Sequence, residues 1–481
     1  MADTDPKPAR PPHPAAPSSR PAVPGILFDN RSPYDALQFD TIDQHSAAFH
    51  VFVAKIGYDM GASDAGGVAT LAATAAPIKL NVVDKHLDDN PAASVLEESD
   101  LAPFKPRCDV IVNAVAYAPK MAAIREFPVR LMVDRSIATP TSEPGSRAVL
   151  IHKTLMVCGE RGFKRKAALT RMLQWPLNLL TLGMVRPAAW RLTKPKPLKQ
   201  LPLRYEYAGG GQCQILHTDA AAKRVPDRER LPGSGIAADP TAHPIAHEAC
   251  QSNPLGRGFA RNWYLKAARS VRVAAPQITY VAQPSSARQF RACAQGGAEP
   301  APAGMGAVGR AWLPRRALIG HIEEKSDWIP DDVPQLPANF DYGYWNCAPV
   351  DQQCPYLQGE ERFILINLCR SDHPACRIDR RGNTVLQFSL LRQAMVILAG
   401  NEQQQLIVLP LVIDTVTISP ETRRVDIVWR GYLDADAVLT SSRLMHITEP
   451  AQLERLALLV QLQEARHSAR QTDTPPAPVQ K

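Results

Sequence analysis

The sequence predicts a mainly β protein of antiparallel sheets and meanders, with long Gly/Pro-rich loops and one C-terminal amphipathic helix. Three observations lead there. Short runs rich in β-branched residues recur along the chain, each bounded by turn-forming clusters, as strands are. The chain carries 44 prolines, and a residue without an N–H donor belongs in tails, turns and connections rather than in helix interiors or central strands. Sustained helical spacing of apolar residues occurs near the end, after Pro450.

Taken in order, residues 1–24 are dense in proline and poor in aliphatics, an extended tail that cannot bury enough apolar surface to order itself. Residues 25–160 read as an N-terminal β region with strands over Phe49–Ile56, Ile78–Val83, Asp109–Tyr117, Val129–Val133 and Val149–Val157. In Asp109–Val115 polar and apolar residues alternate, the pattern of a sheet with one wet face. Residues 161–200 form a basic insertion: Arg161, Lys164, Arg165, Lys166, Arg171, Arg186, Arg191, Lys194, Lys196 and Lys199 follow one another with no acidic residue between them. This is either a solvated basic face or an electrostatic docking surface for an acidic partner.

Residues 201–362 are a loop-rich motif region with few convincing strands, and long loops of that kind are functional or disordered. Residues 363–448 return to β structure as a meander over Val385–Leu390, Ala394–Leu398, Leu406–Val412, Asp414–Ile418 and Val425–Trp429. Ser419–Thr422 reverses the last pair, Pro420 presetting the turn dihedral. In residues 449–470, Thr448, Glu449 and Pro450 open a helix that places Leu453, Leu456, Ala457 and Val460 on one face. Residues 471–481 repeat the character of the N-terminal tail.

With 481 residues there is room for two or three domains and a sizeable core. A net charge of +8 spread over that length is a mild bias, and without interleaved aromatics it is no nucleic-acid signature. Nine cysteines without a short-range framework fit a reducing compartment, and no apolar signal segment opens the chain. The most apolar stretch, Leu169–Trp190, is broken by Arg171, Pro176, Arg186 and Pro187 before it can span a bilayer. The expectation is a soluble, cytoplasmic protein.

Motifs that would carry chemistry fail on context. Gly304, Gly306 and Gly309 spell G-x-G-x-x-G, but the run follows Pro300 and Pro302 and meets Pro314, so no strand precedes it and no long helix N-terminus can hold a pyrophosphate. His243, His247 and Glu248 lack the H-E-x-x-H order, and Pro244 interrupts the helix that would aim both rings at one metal. Cys347 with Cys354, and Cys369 with Cys376, are spaced more widely than a zinc knuckle and read as buried thiols. The adjacent pairs Glu323–Glu324 and Glu360–Glu361 point to opposite faces of any strand. Asp414 and Arg430 are placed by the Ser419–Thr422 reversal to meet across facing strands in a structural role. No catalytic residue, cofactor or metal is expected.

Several segments, in order, resemble one bacterial family, the domain of unknown function 2169 family. They are Asp100–Pro106 (DLAPFKP), Asp109–Pro119 (DVIVNAVAYAP), Leu201–Gly210 (LPLRYEYAGG), Asn253–Gly258 (NPLGRG), Gly304–Arg315 (GMGAVGRAWLPR), Pro337–Phe340, Ala348–Gln352 (APVDQ), Gly359 with Glu360, and Asp414–Gly431, ending in VWRG. The chain departs from the pattern at Ala208, where an aromatic is expected. The resemblance implies a cytoplasmic adaptor or chaperone that binds a type VI secretion effector, a toxin often carrying a PAAR-type tip domain, and promotes its loading onto the secretion spike. It brings no catalytic residues, and no nucleic-acid or membrane partner. The partner-binding or loop-shaping candidates are Gly209, Gly210, Asn253, Pro254, Gly256, Gly258, Trp312, Pro314, Arg315, Asp351, Gln352, Asp414, Trp429 and Arg430. Trp263, Trp312, Trp328, Tyr344 and Trp345 are the natural aromatic anchors if exposed. Two other readings stay open: a metal-dependent hydrolase using His243, His247 or the late cysteines, and a structural spike or baseplate component.

Overall fold

The computed structural model describes residues 27–45, 47–137, 146–166, 189–232, 243–322, 336–402, 405–435 and 439–472. The tail 1–24, most of the basic insertion, Trp328 and nearly all of 471–481 lie outside them.

The chain is mainly β, with a C-terminal helix. In chain order the strands that build its two large sheets and one small one are β1 (Leu27–Asn30), β2 (Asp35–Ile42), β3 (Ala48–Ser63), β4 (Ala69–Ala73), β5 (Cys108–Val112), β6 (Glu126–Ser136), β7 (Arg147–Cys158), β8 (Gly162–Arg165), β9 (Trp190–Leu192), β10 (Arg272–Ala274), β11 (Ile278–Tyr280), β12 (Gln353–Cys354), β13 (Arg362–Ile366), β14 (Thr384–Ser389), β15 (Ala394–Asn401), β16 (Leu406–Pro410), β17 (Val412–Ser419), β18 (Arg424–Asp434) and β19 (Leu439–Ile447). The helices used below are α1 (Asn262–Ala267), α2 (Ala287–Ala294), α3 (Leu313–Arg316) and α4 (Pro450–Thr472).

The main sheet runs β11-β7-β6-β13-β14-β4-β3-β18-β17-β5-β12, with β2 added beside β3. Strand β3 is its spine: on one edge it pairs with β2 and then β4, on the other with β18. Its run of buried residues, Phe49 to Met60 broken only at Asp59, fits a strand covered on both faces. A second sheet, β1-β19-β15-β16, packs on the first, and Met395, Ile397, Leu439 and Leu444 join Phe52, Ile56, Leu131, Phe363 and Phe388 in one core. The strands of 25–160 and of 363–448 therefore interleave in one sheet: β13 lies against β6, and β18 against β3.

Three strand expectations are corrected. Ile78–Val83 is a loop; Val82 and Val83 point to solvent, and the N–H groups of Leu80 and Asn81 donate to the carboxylates of Asp35 and Asp100 rather than to a neighbouring strand. The alternation in Asp109–Val115 does not mark a wet face, because every residue of β5 is buried and Asp109 is satisfied inside the protein. The late strands do not form one meander: β15, β16 and β19 belong to the second sheet, whereas β14, β17 and β18 belong to the main one, the chain changing sheets at Pro410–Leu411.

Residues 201–362 hold more regular structure than their Gly/Pro content predicts. The hairpin Gln212–Leu216 with Pro244–Ala249, α1, α2 and the sheet β9-β8-β10 enclose a second core around Phe163, Trp190, Trp263 and Phe290. At the C-terminus Leu453, Leu456 and Val460 of α4 are half-buried, and the Gln463 amide bonds both the N–H and the carbonyl of Val408 on edge strand β16, at 3.1 and 3.2 Å. Among the described residues no helix is long and apolar enough to cross a membrane.

Candidate functional site

Strand β17 carries a bulge: the register with β18 shifts between Ile413 and Thr415, leaving Asp414 without a cross-strand partner. A bulge re-aims the side chain of its extra residue, and the Asp414 carboxylate meets the guanidinium of Arg430, which opposes Val412 one pair away. The two side chains are 1 % and 3 % exposed. Arg430 also donates to the carbonyls of Ala102 and Asp100, at 2.9 Å for Asp100. One buried cation thus fastens the loop 100–106 onto the sheet.

Beside it, Asp109 on β5 lies in register with Thr415 on β17. Its carboxylate accepts from Lys105 Nζ (2.9 Å), Cys347 N (2.9 Å), Ala348 N (3.2 Å) and Asn346 Nδ2 (3.0 Å). Lys55 reaches Asp100 and Glu97 at 3.0 and 3.2 Å; burial disfavours its charge, but those two carboxylates outweigh it and hold its pKa above the ordinary value. Burial raises the Asp426 carboxyl next to them. Arg315 in α3 forks onto Glu98 and donates to the carbonyls of Val308 and Tyr344, while Gln352 donates to Val110 and Met305 at 2.7 and 3.0 Å. Fully buried charges persist only when paired and hydrogen-bonded, and here the partners are opposite charges together with loop backbones. The network holds loops in one shape.

A second cluster forms around Asn253, which is 0 % exposed. Its amide donates to the carbonyls of Tyr205 and Gly209 at 3.0 and 2.9 Å, and its oxygen accepts from Leu255 N. Gly209 and Gly210 pair in parallel with Arg257 and Gly258. Gly210 has φ +143° and a side chain there would meet the Asn253 carbonyl at 2.1 Å, so only glycine fits. Pro254 and Gly256 complete this half-buried turn. Trp312 is buried edge-on against Tyr205 at 5.0 Å, and the Tyr205 ring presses on Gly304, so the glycine run accommodates aromatic packing. Pro314, by contrast, is exposed.

Asp351 is exposed and binds Lys153 Nζ at 2.7 Å, although Lys153 itself is 1 % exposed. Burial pushes the Lys153 pKa down to about 8, Asp351 only partly restoring it. Trp429 is buried in the main core.

Over this frame opens a groove of about 510 Å³. Phe104, Pro106, Tyr356, Leu409, Pro410 and Tyr432 line it, with Asp414 and Arg430 in its floor. Tyr432 is 47 % exposed, and Phe104 stands edge-on to Tyr432 and Tyr342 at 5.2 and 5.5 Å, continuing an aromatic chain through Phe340 to Tyr344 and Trp345.

Residues 45–430, carrying this whole network, match the family described as uncharacterized protein conserved in bacteria (DUF2169). The chain belongs to this family. No curated protein and no solved structure matches it.

The motif segments Asp100–Pro106, Asp109–Pro119, Gly304–Arg315, Ala348–Gln352 and Asp414–Gly431 are thus brought together in and around strands β5, β17 and β18, while Leu201–Gly210 and Asn253–Gly258 meet in the second cluster. The loop histidines do not converge: His247 is exposed and bonds Gln212, whereas Glu248 on the other face of its strand accepts from Arg261 and Trp263. Of the two cysteine pairs read from spacing, Cys369 does lie beside Cys376, whereas Cys354 stands opposite Cys108 and Cys347 contacts Asp109 instead. Among the described residues no group of three or more His, Cys, Asp or Glu is placed to hold a metal ion. Sequence reasoning missed Lys153 and the groove aromatics Phe104, Tyr356 and Tyr432; a lone lysine in an apolar strand, IHKTLMV, is the signal that could have found the first.

Proposed function

We propose that this protein is a non-catalytic adaptor that grips a secreted effector toxin, including one linked to a PAAR tip domain, and promotes its loading onto the type VI secretion spike. The single observation that carries the reading is an apolar, aromatic-rimmed groove standing on a floor whose buried charges are already paired. Such a surface fits a protein hot spot, where rigid Tyr and Phe anchors fill desolvated contacts. It fits a reaction centre poorly, because Asp414, Arg430, Asp109 and Lys105 are engaged with one another or with loop backbone. The resemblance of the ordered motifs to effector adaptors points the same way.

The test is co-expression with the effector candidates encoded nearby, followed by affinity purification. The reading expects a stoichiometric complex and reduced toxin secretion when the protein is lost, with Tyr432→Ala weakening the complex about tenfold. A protein that runs alone with every candidate, or that sediments with the assembled spike, overturns it.

A further inference from the structure

The basic stretch noted in the sequence acquires a definite shape in the sheet β9-β8-β10. Its register sets Lys164 directly opposite Arg191 on one side and opposite Arg272 on the other. Cross-strand partners share a face, so three cations stand in one rung across three strands. All three are exposed. The other face carries Phe163, Trp190 and Val273, packed on Phe290: Phe163 stacks on that ring at 4.2 Å and Trp190 meets it edge-on at 5.1 Å. The sheet is therefore held by its inner face, while like charges opposite one another on the outer face work against it.

Carboxylates relieve the repulsion only in part, at Arg272. Among the described residues Glu160 is the acid against this face, and it is already shared by Lys196 at 2.7 Å and Arg272 at 3.5 Å. Neither Lys164 nor Arg191 has a carboxylate partner among the described residues. The strands come from two stretches, 161–199 and 249–298, that contain no Asp or Glu at all, and together these hold more positive charge than the net +8 of the whole chain. The remainder of the chain is net acidic, so the asymmetry is local.

We propose that the outer face of this sheet is a docking surface for an acidic stretch of the client protein, an inference that rests on the adaptor reading and deepens it. Charge complementarity selects the occupant: a rung of Lys164, Arg191 and Arg272 attracts carboxylates, steers their approach and rejects basic partners. An acidic polypeptide is favoured over single-stranded nucleic acid because, among the described residues of the three strands, no aromatic side chain shares the face of Lys164, Arg191 and Arg272 for bases to stack on.

The experiment titrates the full-length protein with a fluorescently labelled Glu/Ser-repeat peptide, followed by anisotropy at low and high salt. Lys164→Gln/Arg191→Gln/Arg272→Gln is the variant; because it removes repulsion and touches no core residue, its melting temperature should equal or exceed that of the parent. The expected result is salt-sensitive peptide binding that the variant weakens about tenfold. Absent binding, or equal binding by the variant, overturns the inference, as does an oligo-dT strand of matched charge binding more tightly than the peptide. A client that co-purifies equally with parent and variant also sinks the docking face but leaves the adaptor reading standing. If no client co-purifies at all, the adaptor reading fails, and the peptide titration still decides what the face binds.

Discussion

Replacing Arg430 with methionine should be among the most damaging single changes in the protein. The guanidinium is 3 % exposed and satisfies Asp414, itself 1 % exposed, together with the carbonyls of Asp100 and Ala102. Methionine fills similar volume, so little of the loss comes from packing. What is lost is the partner of a buried carboxylate and two loop hydrogen bonds, which places Arg430→Met at about 3–5 kcal/mol of destabilisation. Removing both charges, in Asp414→Leu/Arg430→Met, should return much of that loss, because no uncompensated ion remains inside. Arg430→Lys keeps the charge but not the fork, and should fall between the parent and Arg430→Met. Urea denaturation of the parent, Arg430→Met, Asp414→Leu and the double variant gives the double-mutant cycle, with a coupling of about 2 kcal/mol or more expected. A loss under about 1 kcal/mol for Arg430→Met, or a coupling near zero, would refute the idea that this pair clamps the loop 100–106 that walls the groove.

Four further outcomes are expected. Gly210→Ala, which forces a side chain onto the Asn253 carbonyl at 2.1 Å, should cost about 2 kcal/mol or more and lower the thermal midpoint; an unchanged midpoint would show that the turn relaxes freely. Lys153 has a folded pKa near 8 against 10.5 unfolded, so the unfolded chain binds the extra proton and stability from this group is lost as pH falls through 8 and regained towards 10.5. Lys153→Met should therefore gain relative to the parent at low pH, the gap closing by about 1 kcal/mol between about pH 7 and about pH 9, as read from paired urea melts. Gln463→Ala uncovers the Val408 backbone on edge strand β16 and should give concentration-dependent association by sedimentation with about 1 kcal/mol of lost stability. Cys376, half-exposed and held below the usual thiol range by a hydrogen bond from Cys369, should be alkylated first of the cysteines, the other eight being buried; mapping by mass spectrometry checks the order.

Much of the fold was legible because local pattern and tertiary outcome agreed. The runs Phe49–Ile56, Val129–Val133, Val149–Val157 and Val425–Trp429 all lie within strands, Pro420 opens the turn between β17 and β18, and the period after Pro450 is a helix. Where the sequence misled, the cause was burial or missing partners: Ile78–Val83 had the composition of a strand without a neighbour to pair with, and Asp109 of β5 looked wet because, besides Lys105, its internal donors lie more than two hundred residues away, at Asn346, Cys347 and Ala348.

By itself the sequence determined the secondary structure of its periodic segments, the pairing of Asp414 with Arg430 across one turn, and the glycine, proline and asparagine positions at which the backbone bends. Those are short-range properties, set by dihedral preference and by side-chain period. Only the tertiary structure decided that strands from both ends interleave in one sheet, that scattered motifs share one buried ionic frame beneath an aromatic groove, and that Arg191, Lys164 and Arg272 stand in a single rung. Register between distant strands depends on which faces find a core to bury, and no local stretch of chain carries that information.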